Sequence, residues 1–578
     1  MIAYAAVSDP VKGTPILRYH FLVLAALVAA PIFQSAAYAD DAAGAYLAAR
    51  QAAINGDISA SAQYHPEALG NDPENTILRL RAQSAYVGLG DFDMAAAIAQ
   101  PHDPKGDNQS LTTLIRHVVF ARAGDWRAIL DELDAGASVN PLVDGLTKGW
   151  ALIGTGNMTG GIEQFDTLAA DKGLSAFAQW HKALALGSIG DFDGAQGVFV
   201  DGAQNGLTYT VRRAIAHAQI MAQIDQTDAA RNMIETVFGG SVDEVAAALL
   251  RTMAAGEPVA YDFAKTPAAG LAEVYFDIAQ AIESDENYKV TLRFARAAQA
   301  LNPSHDDAVL IAAKALNDLQ QYTLATQAYR AIEPTSPRYL VAELGRSDAL
   351  YSAGKSDAAI EVLEALQRSH SNNPSVYAAL GDIMRRTDQP EAARDAYTTA
   401  LELYEPTNPT RWFIIYARGI AHHKLGNWPA AEENFRAALE LYPNNPDILN
   451  YLGYSMVEEG VNLDEALTMI ETAVAIKPES GAIVDSLGWV LFKLGDYDQA
   501  VGHLETAVTL MPSDPVINDH LGDAYWVTGR KYEAHFQWQR ALSYDPTEAD
   551  IERITRKLSI GLDAVLAAEG AEPIEVAR

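Results

Sequence analysis

The feature that most constrains this chain is a beat of about 34 residues. Four stretches show it: "GDIMRRTDQPEAARDAYTTAL", "GIAHHKLGNWPAAEENFRAAL", "GWVLFKLGDYDQAVGHLETAV" and "GDAYWVTGRKYEAHFQWQRAL". A small residue recurs in the second part of each unit, at Thr291, Ala325, Ala359, Ala393, Ala431, Ala466, Ala500 and Ala534. Most of these lie 34 apart, with 38 before Ala431 and 35 before Ala466. In the first half the beat is kept by turn glycines, Gly56, Gly90, Gly124, Gly156 and Gly190, mostly followed by Asp. Prolines close units at Pro73, Pro141, Pro303, Pro443, Pro478, Pro512 and Pro546.

Each unit has a physical reading. Apolar residues recur at helical spacing on either side of the Gly-Asp pair, which supplies a tight turn. The small residue allows two helices to approach closely, and the proline stops the second one. A single such hairpin leaves an apolar face bare, so neighbours must stack on it. The beat fails once: Ala230 and Thr291 are 61 residues apart, across "AAGEPVAYDFAKTPAAG". This predicts either a seam between two segments or one degenerate repeat with a long loop.

The expected fold is therefore all-α, a right-handed α-solenoid of about fourteen helix-turn-helix units in two segments. The expected boundaries are a signal peptide at 1–39, an N-terminal degenerate segment at 40–255 and a seam or linker at 256–267. A C-terminal segment follows at 268–548, then a capping helix and flexible tail at 549–578. In "DIERITRKLSIGL", Ile551, Ile554 and Leu558 share one face, with Arg553, Arg556 and Lys557 elsewhere.

Lys12 and Arg18 precede the apolar run "FLVLAALVAAPIF" and the small residues Ala37 and Ala39. That order predicts a secretory signal cleaved after Ala39, a periplasmic mature protein beginning at Asp40, and no membrane insertion after cleavage. The alternative is an uncleaved anchor. Acids outnumber bases by 75 to 42, for a net charge of −33, which argues against nucleic acid as a partner. The chain has no cysteine, so disulfides, thiolate metal sites and a lipid-bearing N-terminal Cys are excluded.

These units resemble the tetratricopeptide repeat (TPR) family. Leu521, Gly522, Tyr525, Ala534, Trp538, Ala541 and Pro546 stand in its signature positions, as do Leu487, Gly488, Ala500, Leu504, Ala507 and Pro512. The resemblance implies protein or peptide binding rather than chemistry. It also implies that the first helix of each unit lines a concave groove. Aligned on glycine, "NYLGY", "DSLGW" and "DHLGD" then place Asn450, Asp485 and Asp519 three residues before it, and Tyr454, Trp489 and Asp523 just after. Residues four apart share a helix face. With Tyr416 and Trp526 they form the candidate peptide-binding stripe of aromatics and carboxylates. Trp489 has a second reading, as padding between helices along the stack.

"AYLAARQAAINGD", "RWFIIYARGIAHHKLGNWPAAEENF" and "LNYLGYSMVEEGVNLDEALTMI" further resemble proteobacterial envelope TPR proteins that partner carboxyl-terminal processing proteases. That resemblance implies an adaptor delivering substrates to such a protease. The absence of Cys departs from the lipid-anchored members. A structural component of an envelope export or polysaccharide-assembly machine remains the alternative. No HExxH, phosphate-binding loop or nucleophile elbow is present, so no enzyme activity, cofactor or metal is expected. Oligomeric state is left open.

Overall fold

The computed structural model describes residues 37–99, 109–204, 207–238 and 243–570. The expected signal segment lies outside these except for its last three residues, and so does the tail beyond 570. The described residues are helical, with no strand. Among them, packed helix pairs form five hairpins before the helix Glu244–Ala254 and eight after it. The chain divides into two compact units, residues 1–85 and 86–578.

In the first unit, Ala37–Ile54 and Ile58–Asn71 pair across a turn at Gly56 and Asp57. Gly56 takes φ 67° and the Asp57 carboxylate accepts from the Ala60 N–H. The dipeptide thus ends one helix with a left-handed residue and caps the next. The second unit reuses the device. Gly90, Gly124, Gly156 and Gly190 all have positive φ, and Asp91, Asp125, Asn157 and Asp496 cap the following helices. Where a repeat lacks the glycine, Asp225, Gln320 and Asp388 adopt the same left-handed conformation.

Packing fixes the register of each hairpin. Ala325, Ala359, Ala393, Ala431, Ala466, Ala500 and Ala534 are fully buried. Gly149, Gly381, Gly419, Gly453, Gly488 and Gly522, on first helices, each receive a large side chain from the second helix of the same hairpin. A Cβ on Gly488 would lie 2.6 Å from Leu504, and one on Gly522 would lie 2.4 Å from Trp538. The degenerate half solves the same contact with other residues: Ile129 is fully buried, and a Cβ on Gly149 would strike Phe165 at 2.4 Å.

The seam is a packed strap. Between Ala254 and Pro267 the backbone is not helical, yet Tyr261 and Phe263 are buried. The Tyr261 hydroxyl donates to the Leu184 carbonyl, and Phe263 meets the Trp180 ring at 6.2 Å. Thr266 then caps the helix Pro267–Ala281. That helix does not simply extend the stack. It packs across Gln109–Ala123, Pro141–Gly154 and Ser175–Ser188, the first helices of three consecutive hairpins.

The contact is close and charged. Gly270 sits against the face of Trp150, where a Cβ would come within 2.4 Å. Trp150 donates to His181, whose other ring nitrogen lies 3.2 Å from Asp277. Arg212 clasps Glu273 with two hydrogen bonds and reaches Asp307 at 2.9 Å. Its guanidinium also covers the rings of Phe263 and Phe276. Arg338 extends the network, bonding Asp307 and Asp243 at 2.6 Å each. Burial alone would raise the Glu273 pKa, but the charges of Arg212 and His305 outweigh it and hold this carboxyl well below its usual range.

At the far end, Glu548–Ile560 and a short helix, Leu562–Ala568, cover the last hairpin. The buried face of the first differs from the expected apolar stripe. Ile554 is buried but Ile551 is 44% exposed, and Lys557 is 0% exposed. Positions 554 and 557 are three apart, so one face carries both.

Candidate peptide-binding groove

Positions 485/489 turn toward the next first helix along the stack, meeting His520, and 519/523 turn toward Lys557 of the end helix. Trp489 occupies such a joint. It is 7% exposed, stacked between Phe492 at 4.9 Å and His520 at 3.9 Å. Its indole N–H donates to Glu458 at 2.9 Å, and Lys493 Nζ lies 5.1 Å from the ring centre. Trp489 is thus a helix-to-helix packing residue, with part of its surface left facing a cavity.

That cavity has a volume of about 270 Å³ and lies between Pro446–Glu459, Gly481–Leu494, Pro515–Val527 and Glu548–Ile560. Tyr454, Glu458, Trp489, Lys493, Val516, Asp519 and Arg553 are among its walls. Three of the eight residues singled out in the sequence therefore meet there: Tyr454, Trp489 and Asp519.

The other five lie elsewhere. Asp485 is buried, 3.0 Å from His520 Nδ1. Asp523 is buried under the end helix, accepting from the Trp538 indole at 2.9 Å and from Lys557 at 2.7 Å. Trp526 is covered by Gly561 and donates to Asp563. Asp485, Asp523 and Trp526 are thus not open to a partner as expected, because each already has one within the chain. Tyr416 packs on Phe435 and Tyr451, and Asn450 is half-buried with Oδ1 lacking a hydrogen-bond partner.

The electrostatics centre on Asp519. Its Oδ2 accepts from Lys557 at 2.8 Å, while Oδ1 has no hydrogen-bond partner. Burial and repulsion from Asp523 push its pKa up to about 6, against the pull of Lys557. For His520, burial disfavours the charged ring, but Asp485 prevails and raises its pKa. Glu458, Lys493 and Val516 escaped the sequence reading although helical spacing points to them. The first two lie four residues beyond Tyr454 and Trp489, and Val516 lies three before Asp519.

No group of three or more His, Asp or Glu among the described residues is placed to hold a metal. No described helix is long and apolar enough to cross a membrane. Residues 344–406 and 412–445 match tetratricopeptide repeat family profiles. Tetratricopeptide repeats thus occupy these two stretches of the chain. A TPR repeat-containing protein of Pseudomonas aeruginosa is 27% identical over 175 residues, 30% of this chain and 28% of that protein. Bacteriophage adsorption protein A of Escherichia coli is 32% identical over 108 residues, 19% of this chain and 10% of that one. Among solved structures, Cut9 in complex with Hcn1 has a TM-score of 0.39 at 17% identity, covering 91% of this chain and 97% of its own. Yeast Tom70 has a TM-score of 0.34 at 14% identity, covering 92% and 99%. Tetratricopeptide repeats generally serve protein–protein contacts and are generally non-enzymatic scaffolds.

Proposed function

We propose that this protein is a non-enzymatic periplasmic adaptor that holds a segment of a partner protein at the cavity walled by Tyr454, Trp489, Val516 and Asp519. The observation that carries the reading is a difference in occupancy. The first-helix face of three hairpins of the N-terminal segment is taken by the chain's own helix Pro267–Ala281. The C-terminal face is covered by Glu548–Ile560 only at its last hairpin, and the cavity lies beside that helix. Aromatic walls beside hydrogen-bonding groups suit a peptide anchor. The periplasmic setting rests on the basic–apolar–small order of residues 12–39, and delivery to a carboxyl-terminal processing protease rests on the family resemblance.

Val516→Trp tests the site, because Val516 is an exposed wall residue and its enlargement fills the cavity without disturbing the core. Immobilised wild-type protein should capture an envelope protease or its substrates from periplasmic extract, and Val516→Trp should not. Identical captures by the two proteins would refute the site. Sequencing the N-terminus of the protein from its native host should find Asp40 first. A start at Met1 would refute the localisation.

A further inference from the structure

Each segment of this chain shows which charge its first-helix face accepts. In the N-terminal segment the hairpins contribute His181 and Arg212, and the helix lying on them contributes Asp277 and Glu273. In the C-terminal segment the polarity is reversed: the hairpins contribute Asp519 and Asp523, and the covering helix inserts Lys557 between them. Lys557 is fully buried there, so this face takes up a whole basic side chain when carboxylates meet its ammonium.

The cavity one step along repeats these ingredients. Tyr454 and Trp489 offer aromatic surface, Glu458 offers a carboxylate, and Asp519 forms part of the wall with an unpartnered Oδ1. The two cations on the wall are already engaged. Lys493 lies over the Trp489 ring, and Arg553 bonds Glu569 at 3.2 Å while lying 3.9 Å from Asp519 and Asp523. A volume of about 270 Å³ holds one long side chain with some water. The net charge of −33 favours approach by a basic partner.

We propose that the cavity between Tyr454, Glu458, Trp489 and Asp519 receives a lysine or arginine side chain projecting from the partner's bound segment. The aliphatic stem lies along the aromatic walls, and the charged head meets the carboxylates. This inference rests on the binding role proposed for the cavity. It narrows that role to one class of ligand.

The test is selection of a random-peptide display library against the full chain, with Val516→Trp as the counter-selection. Enriched peptides should share a basic residue. Replacing that residue with norleucine in the synthetic peptide should weaken binding about tenfold or more. Glu458→Gln keeps an acceptor for the Trp489 indole and does not touch Lys557. Glu458→Gln and Asp519→Asn should each weaken binding several-fold, whereas Asp464→Asn, exposed on a second helix, should not. Peptides that depend on Val516 but are indifferent to norleucine and to both charge variants would overturn the basic preference and leave the groove standing. Selection of no cavity-dependent peptide would remove both.

Discussion

The two buried ion clusters of this molecule do different jobs with the same architecture. Around Arg212, a helix from the middle of the chain lies on the first helices of earlier hairpins, and Glu273, 1% exposed, is matched by a bidentate guanidinium. Around Lys557, a helix from the end of the chain lies beside the last hairpin, and one ammonium serves two carboxylates. The first cluster is continuous with a strap anchored by Tyr261 and Phe263. The second borders a cavity. The difference teaches that these hairpins select what lies on them by charge as well as by apolar fit. It also teaches that the N-terminal face has been used for assembly, whereas part of the C-terminal face is left over.

The comparison breaks most visibly at Arg212. Arg212→Met leaves Glu273 buried without its main partner, a change that costs about 3–5 kcal/mol. The urea midpoint should drop accordingly, and limited proteolysis should cut within 256–266 faster than in the wild type. A midpoint within error of wild type would mean that the cluster does not clamp the two segments.

A smaller effect is expected from Ala500→Leu, which adds bulk where Ala500 is fully buried against its partner helix. Overpacking of this kind costs about 1–3 kcal/mol. Because hairpins couple to their neighbours, hydrogen exchange should quicken in 446–476 and 515–542 as well. Acceleration confined to 481–510 would show that the C-terminal hairpins are less coupled than the clamped ones.

The smallest effect is one of pH. Asp519 binds its proton more tightly folded than unfolded, so its ionisation above about pH 6 weakens the end cluster. His520 is also raised, so its stabilisation is complete below its unfolded pKa and is lost as pH rises through the folded value. Both push the same way. Asp485, Asp523, Arg553 and Lys557 surround the pair and supply the opposing fields. After correction for intrinsic rates, exchange across 548–560 should be more protected near pH 5 than near pH 8, by about 1 kcal/mol. Asp519→Asn should shrink the difference. A cap that loosens on acidification would reverse the assignment.

The repeat was legible because its constraints are local. Gly488 and Ala500 lie twelve residues apart, and Gly495 and Asp496 each act on their own turn. The seam was legible only as an interruption. Its glycines and prolines mark missing helix, but the hold on Tyr261 comes from Leu184, 77 residues earlier. The candidate stripe was half legible for a similar reason. Helical spacing identified the face carrying Asp519 and Asp523, but their partner Lys557 follows 38 and 34 residues later. A charged residue beside Ile554 gives no sign by itself that it will be buried.

The helix Pro267–Ala281 changes how the chain can come apart. A stack of hairpins touching only its neighbours is a one-dimensional object that can fray, nucleate or be shortened anywhere along its length. Here a turn of chain from the middle lies on helices that begin near residue 109, so hairpins far apart in sequence stand or fall together. Closing that loop delays folding until more than a hundred residues have been made, and afterwards it forbids the hairpins between 109 and 204 from unwinding one at a time. Pulled from its ends, such a molecule should yield repeat by repeat through its C-terminal half and then resist, releasing residues 109–307 in a single step.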